Sequence, residues 1–269
     1  MVSLSGPRTS LLAAPGGDLE VLTTGKGDPH SLFVHGLAGS ISTTRPYASA
    51  VRGTCSFVHQ RGHGRSFTPA TEDWGYAELA ADVRAVADQL GADRALGVSM
   101  GAGALLALLA EDPDRFERVV LVLPALIDRP RGDEAMRRLG SLAARVEAGD
   151  PGPVARHLLG EQPAAVRTDP RVVAWCREQA EHLVTTGVAG VLRVLPDRVP
   201  VIDRSVLARV TCPVLVVGQE DDDLHPAPVA RELGEVLSSV TVRILPPGGI
   251  MWEHRRATRE LVGEFLSAP

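Results

Sequence analysis

The stretch Arg94-Ala95-Leu96-Gly97-Val98-Ser99-Met100-Gly101-Ala102-Gly103-Ala104-Leu105-Leu106 decides the fold. Its first half is a short apolar strand, Arg94–Val98, and its second half opens an apolar helix. Between them stands a serine with glycine two residues away on either side. A strand that turns this sharply into a helix holds its central residue in strained geometry, and larger flanking side chains would clash. Such a turn lifts the Ser99 hydroxyl off the sheet at a helix N-terminus. There the Met100 amide faces any negative charge developing on a substrate oxygen. The competing reading is a glycine-flanked serine that merely caps a helix.

Working outward, short β-branched runs alternate with helical patterns, which predicts a mostly parallel sheet covered by helices. The strands expected are Leu19–Thr23, Ser31–His35, Thr54–His59, Ala95–Val98, Arg118–Leu123, Val214–Val217 and Thr241–Leu245. Helices are expected over Tyr76–Leu90, Met100–Glu111, Val229–Leu237 and Arg255–Leu266. The alternation breaks over Asp128–Val210, which is rich in Arg, Glu and Ala. Helical periodicity is present there at Glu134–Glu147 and Arg171–Thr185, and Pro151, Pro153, Pro170, Pro196 and Pro200 punctuate it. That pattern predicts a helical cap at residues 128–210, inserted into a core made of residues 1–127 and 211–269. A second glycine-rich turn, His35-Gly36-Leu37-Ala38-Gly39, follows the apolar run Leu32–Val34 and offers the Leu37 amide as another oxyanion donor.

These motifs resemble the α/β-hydrolase superfamily over essentially the whole chain. The matching pieces are the His-Gly turn, the loop Arg61-Gly62-His63-Gly64-Arg65-Ser66, Gly97–Gly101, the strand Pro213–Val217 with its acidic exit, and the C-terminal strand and helix. The resemblance implies an eight-stranded, mostly parallel sheet with a cap, a Ser–Asp–His triad in chain order, no cofactor and no metal. Ser99 would be the nucleophile, and the Leu37 and Met100 amides would form the oxyanion hole.

The acid falls within Glu220-Asp221-Asp222-Asp223. Counting from Pro213 or back from Pro226 gives Asp222, and counting from Gly218 gives Asp221; two anchors against one favour Asp222. The base is the departure. After the last strand the chain reads Pro246-Pro247-Gly248-Gly249-Ile250-Met251-Trp252-Glu253-His254, so Ile250 stands where the family has its histidine. Losing the base of such a triad costs about 10⁶ in rate, or roughly 8 kcal/mol. An active hydrolase therefore needs another base. His254, four residues on, is the first candidate, and His225, close behind Asp222, ranks after it. His35 belongs to the oxyanion turn, where the family's histidine is structural. His59 and His63 read as packing or hydrogen-bonding residues, and His157 and His182 fall in the expected cap.

Composition narrows the partners. The chain has 269 residues, 44% apolar, 23% charged and 4% aromatic, enough for a sizeable core. A net charge of −5 offers no electrostatic footprint for nucleic acid. The three cysteines, Cys55, Cys176 and Cys212, show neither a disulfide framework nor a zinc-ligand spacing. Lys26 is the single lysine, an arginine bias typical of GC-rich bacterial genomes. No apolar run is long enough for a membrane span, and Met1–Gly17 does not read as a signal peptide, so a cytoplasmic location is expected.

The function expected is hydrolysis of a small organic ester, thioester or lactone through Ser99 with an incomplete triad. Two alternatives need no base: a repurposed lyase, dehydratase or cyclase of the same fold, and a non-catalytic small-ligand-binding protein.

Overall fold

The computed structural model describes residues 9–70 and 74–269; the first eight residues of the segment Met1–Gly17 lie outside the described residues. Eight strands form one sheet in the order β1-β2-β4-β3-β5-β6-β7-β8. They are β1 Ser10–Ala14, β2 Gly17–Gly25, β3 His30–Val34, β4 Thr54–Val58, β5 Arg94–Val98, β6 Arg118–Val122, β7 Val214–Gln219 and β8 Val240–Leu245. β1 and β2 pair antiparallel, β2 runs antiparallel to β4, and every pairing from β4 to β8 is parallel. Seven of these are the strands expected from the sequence, to within a few residues at their ends. The eighth, β1, is an edge strand with Leu11 exposed, and half-exposed edges carry little periodic signal.

The central strands are buried on both faces, so they read as unbroken apolar runs such as Val214–Val217. Helices α2 Tyr76–Leu90, α3 Met100–Glu111, α8 Ala227–Val236 and α9 Arg255–Ser267 supply the covering, with the short α1 Ile41–Thr44 after β3. Helix α3 is buried along nearly its whole length, which explains its lack of a polar face.

Between β6 and β7 the chain forms α4 Glu134–Glu147, α5 Pro151–Gly160, α6 Pro170–Leu183 and α7 Ala189–Val194. Two of these begin at prolines that look like breaks in the sequence. Pro151 opens α5 behind Asp150, whose carboxylate accepts from the Gly152 amide at 2.9 Å. Pro170 opens α6 behind Asp169, which accepts from the Arg171 amide at 2.8 Å. Proline is tolerated in a first turn because the amide it lacks has no partner inside the helix. The buried residues of these helices, Leu142, Val154, Leu183 and Val191 among them, are continuous with the core beneath the sheet.

Among the described residues, no helix is long and apolar enough to cross a membrane. The carboxyl ends of β3, β5, β7 and β8 emerge at one edge of the sheet, where open α/β sheets bind ligands.

Candidate active site

Ser99 sits between β5 and α3 with φ of 51° and ψ of −109°, the strained conformation the sequence predicts. The glycines are required by close approach. A Cβ on Gly97 would lie 2.4 Å from the Gly101 carbonyl oxygen, and one on Gly101 would lie 2.4 Å from that of Val34. The turn is thus wedged between its own helix and β3, and the Ser99 amide is tied to the Val122 carbonyl at 2.9 Å.

The loop after β7 brings the other polar partners. His225 Nε2 lies 2.9 Å from Ser99 Oγ, and His225 Nδ1 lies 3.0 Å from Asp222 Oδ2. With Nδ1–H donating to the carboxylate, Nε2 presents a lone pair to the serine hydroxyl. Asp222 grips the histidine twice, since Oδ1 also accepts from the His225 backbone amide at 3.0 Å. A three-residue separation on a tight loop makes this double grip possible. Burial pushes the Asp222 carboxyl upward, but the imidazole and amides of His225 and Leu224 outweigh it and hold the group below its ordinary value.

Arg131, from the segment before α4, steadies the same loop. Its guanidinium donates to the Leu224 carbonyl at 2.7 Å and to the Asp223 carbonyl at 2.6 Å, and Asp133 holds it in turn at 2.6 Å.

The other sequence candidates lie elsewhere. His254 is not brought to Ser99, which corrects its first place among the bases. Residues Gly249–Glu253 form one wide turn with bonds five residues apart, and this carries His254 to the N-terminus of α9. There its Nε2 meets the Pro247 carbonyl at 3.0 Å. Ile250, 3% exposed, remains as a wall of the cavity over Ser99. Asp221 adopts φ of 56°, and it is Asp222, not Asp221, that is hydrogen-bonded to His225. His35 is fully buried with both ring nitrogens in use: Nδ1 meets the Gly36 carbonyl at 2.7 Å and Nε2 accepts from the Gln60 amide at 3.0 Å. It shapes the turn that carries Leu37. Neither the Leu37 nor the Met100 amide has a hydrogen-bond partner among the described residues.

The sequence placed His225 behind His254 because the family pattern directs attention to the end of β8, whereas the structure brings His225 beside Ser99. The signal that finds it is the spacing Asp222-Asp223-Leu224-His225 itself.

The cavity over Ser99 has a volume of about 270 Å³. Leu37, Leu139, Leu158, Trp175, Ile250 and Trp252 give it a mostly apolar lining, with Ser99, Asp222 and His225 at its base. Helices α4, α5 and α6 supply part of this wall through Met136, Leu158 and Gln179. Among the described residues, no group of three or more His, Cys, Asp or Glu is arranged to hold a metal ion.

Beside the site lies a histidine cluster that supports it structurally. His35 and His63 rings are 4.6 Å apart, and His59 bonds Glu20 at 2.8 Å. Burial pushes His63 down to about 4 and His35 and His59 below their ordinary values. A histidine kept neutral in the fold but free to protonate when unfolded stabilises the protein above its unfolded value, near 6.5. That contribution is lost as pH falls toward the folded value. For His63 alone the span from 6.5 to about 4 is worth about 3 kcal/mol. Urea midpoints should therefore drop from pH 7 to pH 4.5 more steeply in the native protein than in His63→Asn, whose amide can keep the bond to Arg61. Equal slopes would refute this account of the cluster.

The fold has clear relatives. The family model described as the alpha/beta hydrolase fold matches residues 29–165. The chain belongs to the α/β-hydrolase family. A protein of Variovorax paradoxus named "Putative carbamate hydrolase RutD" is 30% identical over 81% of this chain and 83% of its own length. A Caulobacter protein of the same name is 30% identical over 80% and 81%. The enol-lactonase structure from Burkholderia xenovorans superposes with a TM-score of 0.80 at 24% identity, covering 96% of this chain and all of that one.

Proposed function

We propose that this α/β-hydrolase cleaves an ester, thioester or lactone bond of a small molecule through a Ser99–His225–Asp222 triad whose base has moved to the loop of its acid. One observation carries the reading: the hydrogen-bonded chain from Ser99 Oγ to His225 Nε2 at 2.9 Å and from His225 Nδ1 to Asp222 Oδ2 at 3.0 Å. These distances are those expected of a nucleophile, base and orienting group.

In this reading His225 Nε2 takes the Ser99 proton as Oγ bonds to the acyl carbon. The Leu37 and Met100 amides donate to the oxyanion, and their lack of partners in the free protein suits that role. His225 then passes the proton to the leaving oxygen or sulfur as the acyl bond breaks. Water repeats the steps in reverse to free Ser99. Asp222 stabilises the imidazolium between the two transfers. The helices between β6 and β7 act as the cap, and their apolar walls shield the acyl-enzyme from bulk solvent. The relatives named as carbamate hydrolases, and the enol-lactonase structure of the same fold, agree in reaction class with this reading. The lyase and binding-protein alternatives rested on an absent base, and no observation now favours them.

The test is covalent labelling. A fluorophosphonate should add one phosphonyl group to the native protein, seen by intact mass and mapped to Ser99, and none to Ser99→Ala. An unlabelled native protein that also leaves activated esters intact would refute the proposal. Asp222→Asn should keep the fold but lower kcat about 10⁴-fold, because an amide that donates to His225 fixes the wrong tautomer.

A further inference from the structure

The double grip of Asp222 fixes the His225 ring within its own loop, but it does not fix that loop against Ser99. In a family member of the usual pattern the loop after β7 carries the acid alone. Here it carries both the acid and the imidazole beside Ser99, so any shift of the loop carries Nε2 away from Oγ. Something outside the loop has to hold it.

The loop backbone has few ties. Its entry is pinned where the Glu220 amide donates to the Leu245 carbonyl at 2.9 Å, and its exit runs into α8 at Ala227. Between them, over residues 221–225, the backbone makes two hydrogen bonds to the rest of the chain among the described residues. Both come from Arg131, to the carbonyls of Asp223 and Leu224.

Arg131 engages all three nitrogens of its guanidinium. Nη1 donates to the Leu224 carbonyl at 2.7 Å and to the Ala125 carbonyl at 3.2 Å. Nη2 donates to the Asp223 carbonyl at 2.6 Å and lies 2.6 Å from Asp133 Oδ2, to which Nε also donates at 2.8 Å. Ala125 follows β6 and lines the cavity over Ser99. Asp133 caps α4, its Oδ1 accepting from the Met136 amide at 3.0 Å. One planar fork therefore joins the exit of β6, the loop that carries His225 and the start of α4. Its side chain is 14% exposed, and hydrogen bonds from an ionised donor are the strong kind. A lysine ammonium, a compact point charge, cannot span these partners.

We propose that Arg131 is a positioning residue for the reaction. It does not line the cavity over Ser99, and it acts by clamping the Asp223 and Leu224 carbonyls so that His225 Nε2 stays at hydrogen-bonding distance from Ser99 Oγ.

This proposal rests on the Ser99–His225–Asp222 reading, so its test includes a measurement that needs no turnover. Arg131→Met keeps much of the side chain's stem and removes every donor; Arg131→Lys keeps the charge and removes the fork. On a p-nitrophenyl ester, kcat of Arg131→Met should fall about 10²-fold with KM within about threefold of native, since a small misplacement of a reacting group costs rate and not binding. Arg131→Lys should recover no more than about a tenth of the native kcat. In a His225→Ala background, Arg131→Met should cost less than about threefold, because a residue that acts through His225 has nothing left to place. Hydrogen exchange supplies the second arm: the Leu224 and His225 amides should exchange at least about 10-fold faster in Arg131→Met, with those of β7 unchanged. Native kcat in both Arg131 variants, a loss that repeats in full on His225→Ala, or unchanged exchange in the loop would each overturn the proposal. Faster exchange in Arg131→Met together with native turnover by His225→Ala would keep the clamp and remove the triad; a collapse of turnover in His225→Ala with native kcat in Arg131→Met would do the reverse.

Discussion

Replacing His225 by alanine should lower kcat/KM on any turned-over ester by about 10⁶, close to the full contribution of a serine triad. The reason is geometric. His225 Nε2 is the group within hydrogen-bonding distance of Ser99 Oγ, and Asp222 fixes its ring from the other side. Once it is removed, Ser99 attacks as a neutral alcohol. About 10³–10⁴-fold catalysis over water should survive through the oxyanion amides and the cavity. His254→Ala should retain nearly all activity, because that ring is engaged with the Pro247 carbonyl. Ile250→His should bring no large gain, since His225 already stands at hydrogen-bonding distance from Ser99 Oγ and the new ring would enter an apolar wall. Steady-state kinetics of the three variants on one ester decides the matter. Loss in His254→Ala with activity kept in His225→Ala would reverse the assignment.

Ser99→Ala should cost a similar factor of about 10⁶, and the double variant Ser99→Ala/His225→Ala should cost no more than either change alone. In the proposed triad nucleophile and base act as one unit, so removing the second leaves nothing further to lose. Were the two residues independent, the double variant would show the product of the losses, about 10¹². The fold should survive both changes. Ser99 holds its turn through backbone contacts, and its amide remains bonded to Val122 when the hydroxyl is gone. Far-UV circular dichroism and urea midpoints near those of the native protein check that point. Additive losses would mean that Ser99 and His225 do not work on the same proton.

Much of this was legible in the sequence because steric demands leave few choices. Gly97 and Gly101 are small because backbone oxygens lie where a Cβ would stand, and that necessity shows as a pattern between a strand and a helix. Asp222 was reachable by counting from Pro213 and Pro226, since strand ends and helix starts fix the length of the loop. The histidine beside Ser99 was not, because an imidazole is demanded only at a point in space and several loops reach that point. His225 reaches it from β7 only because the Asp222 carboxylate closes a three-residue turn around it. The helices at Pro151 and Pro170 show a similar ambiguity: proline marks a break in mid-helix but a beginning behind an aspartate cap.

The central claim is that the base stands on the β7 loop, and it can be tested without knowing the natural substrate. The measurement is the second-order rate constant for phosphonylation of Ser99 by a fluorophosphonate, in the native protein, His225→Ala and His254→Ala. The rate should fall by at least about 10² in His225→Ala and stay within about twofold of native in His254→Ala, since general-base activation contributes about 10²–10⁴ to such an attack. Phosphonylation of His225→Ala at the native rate would contradict the account.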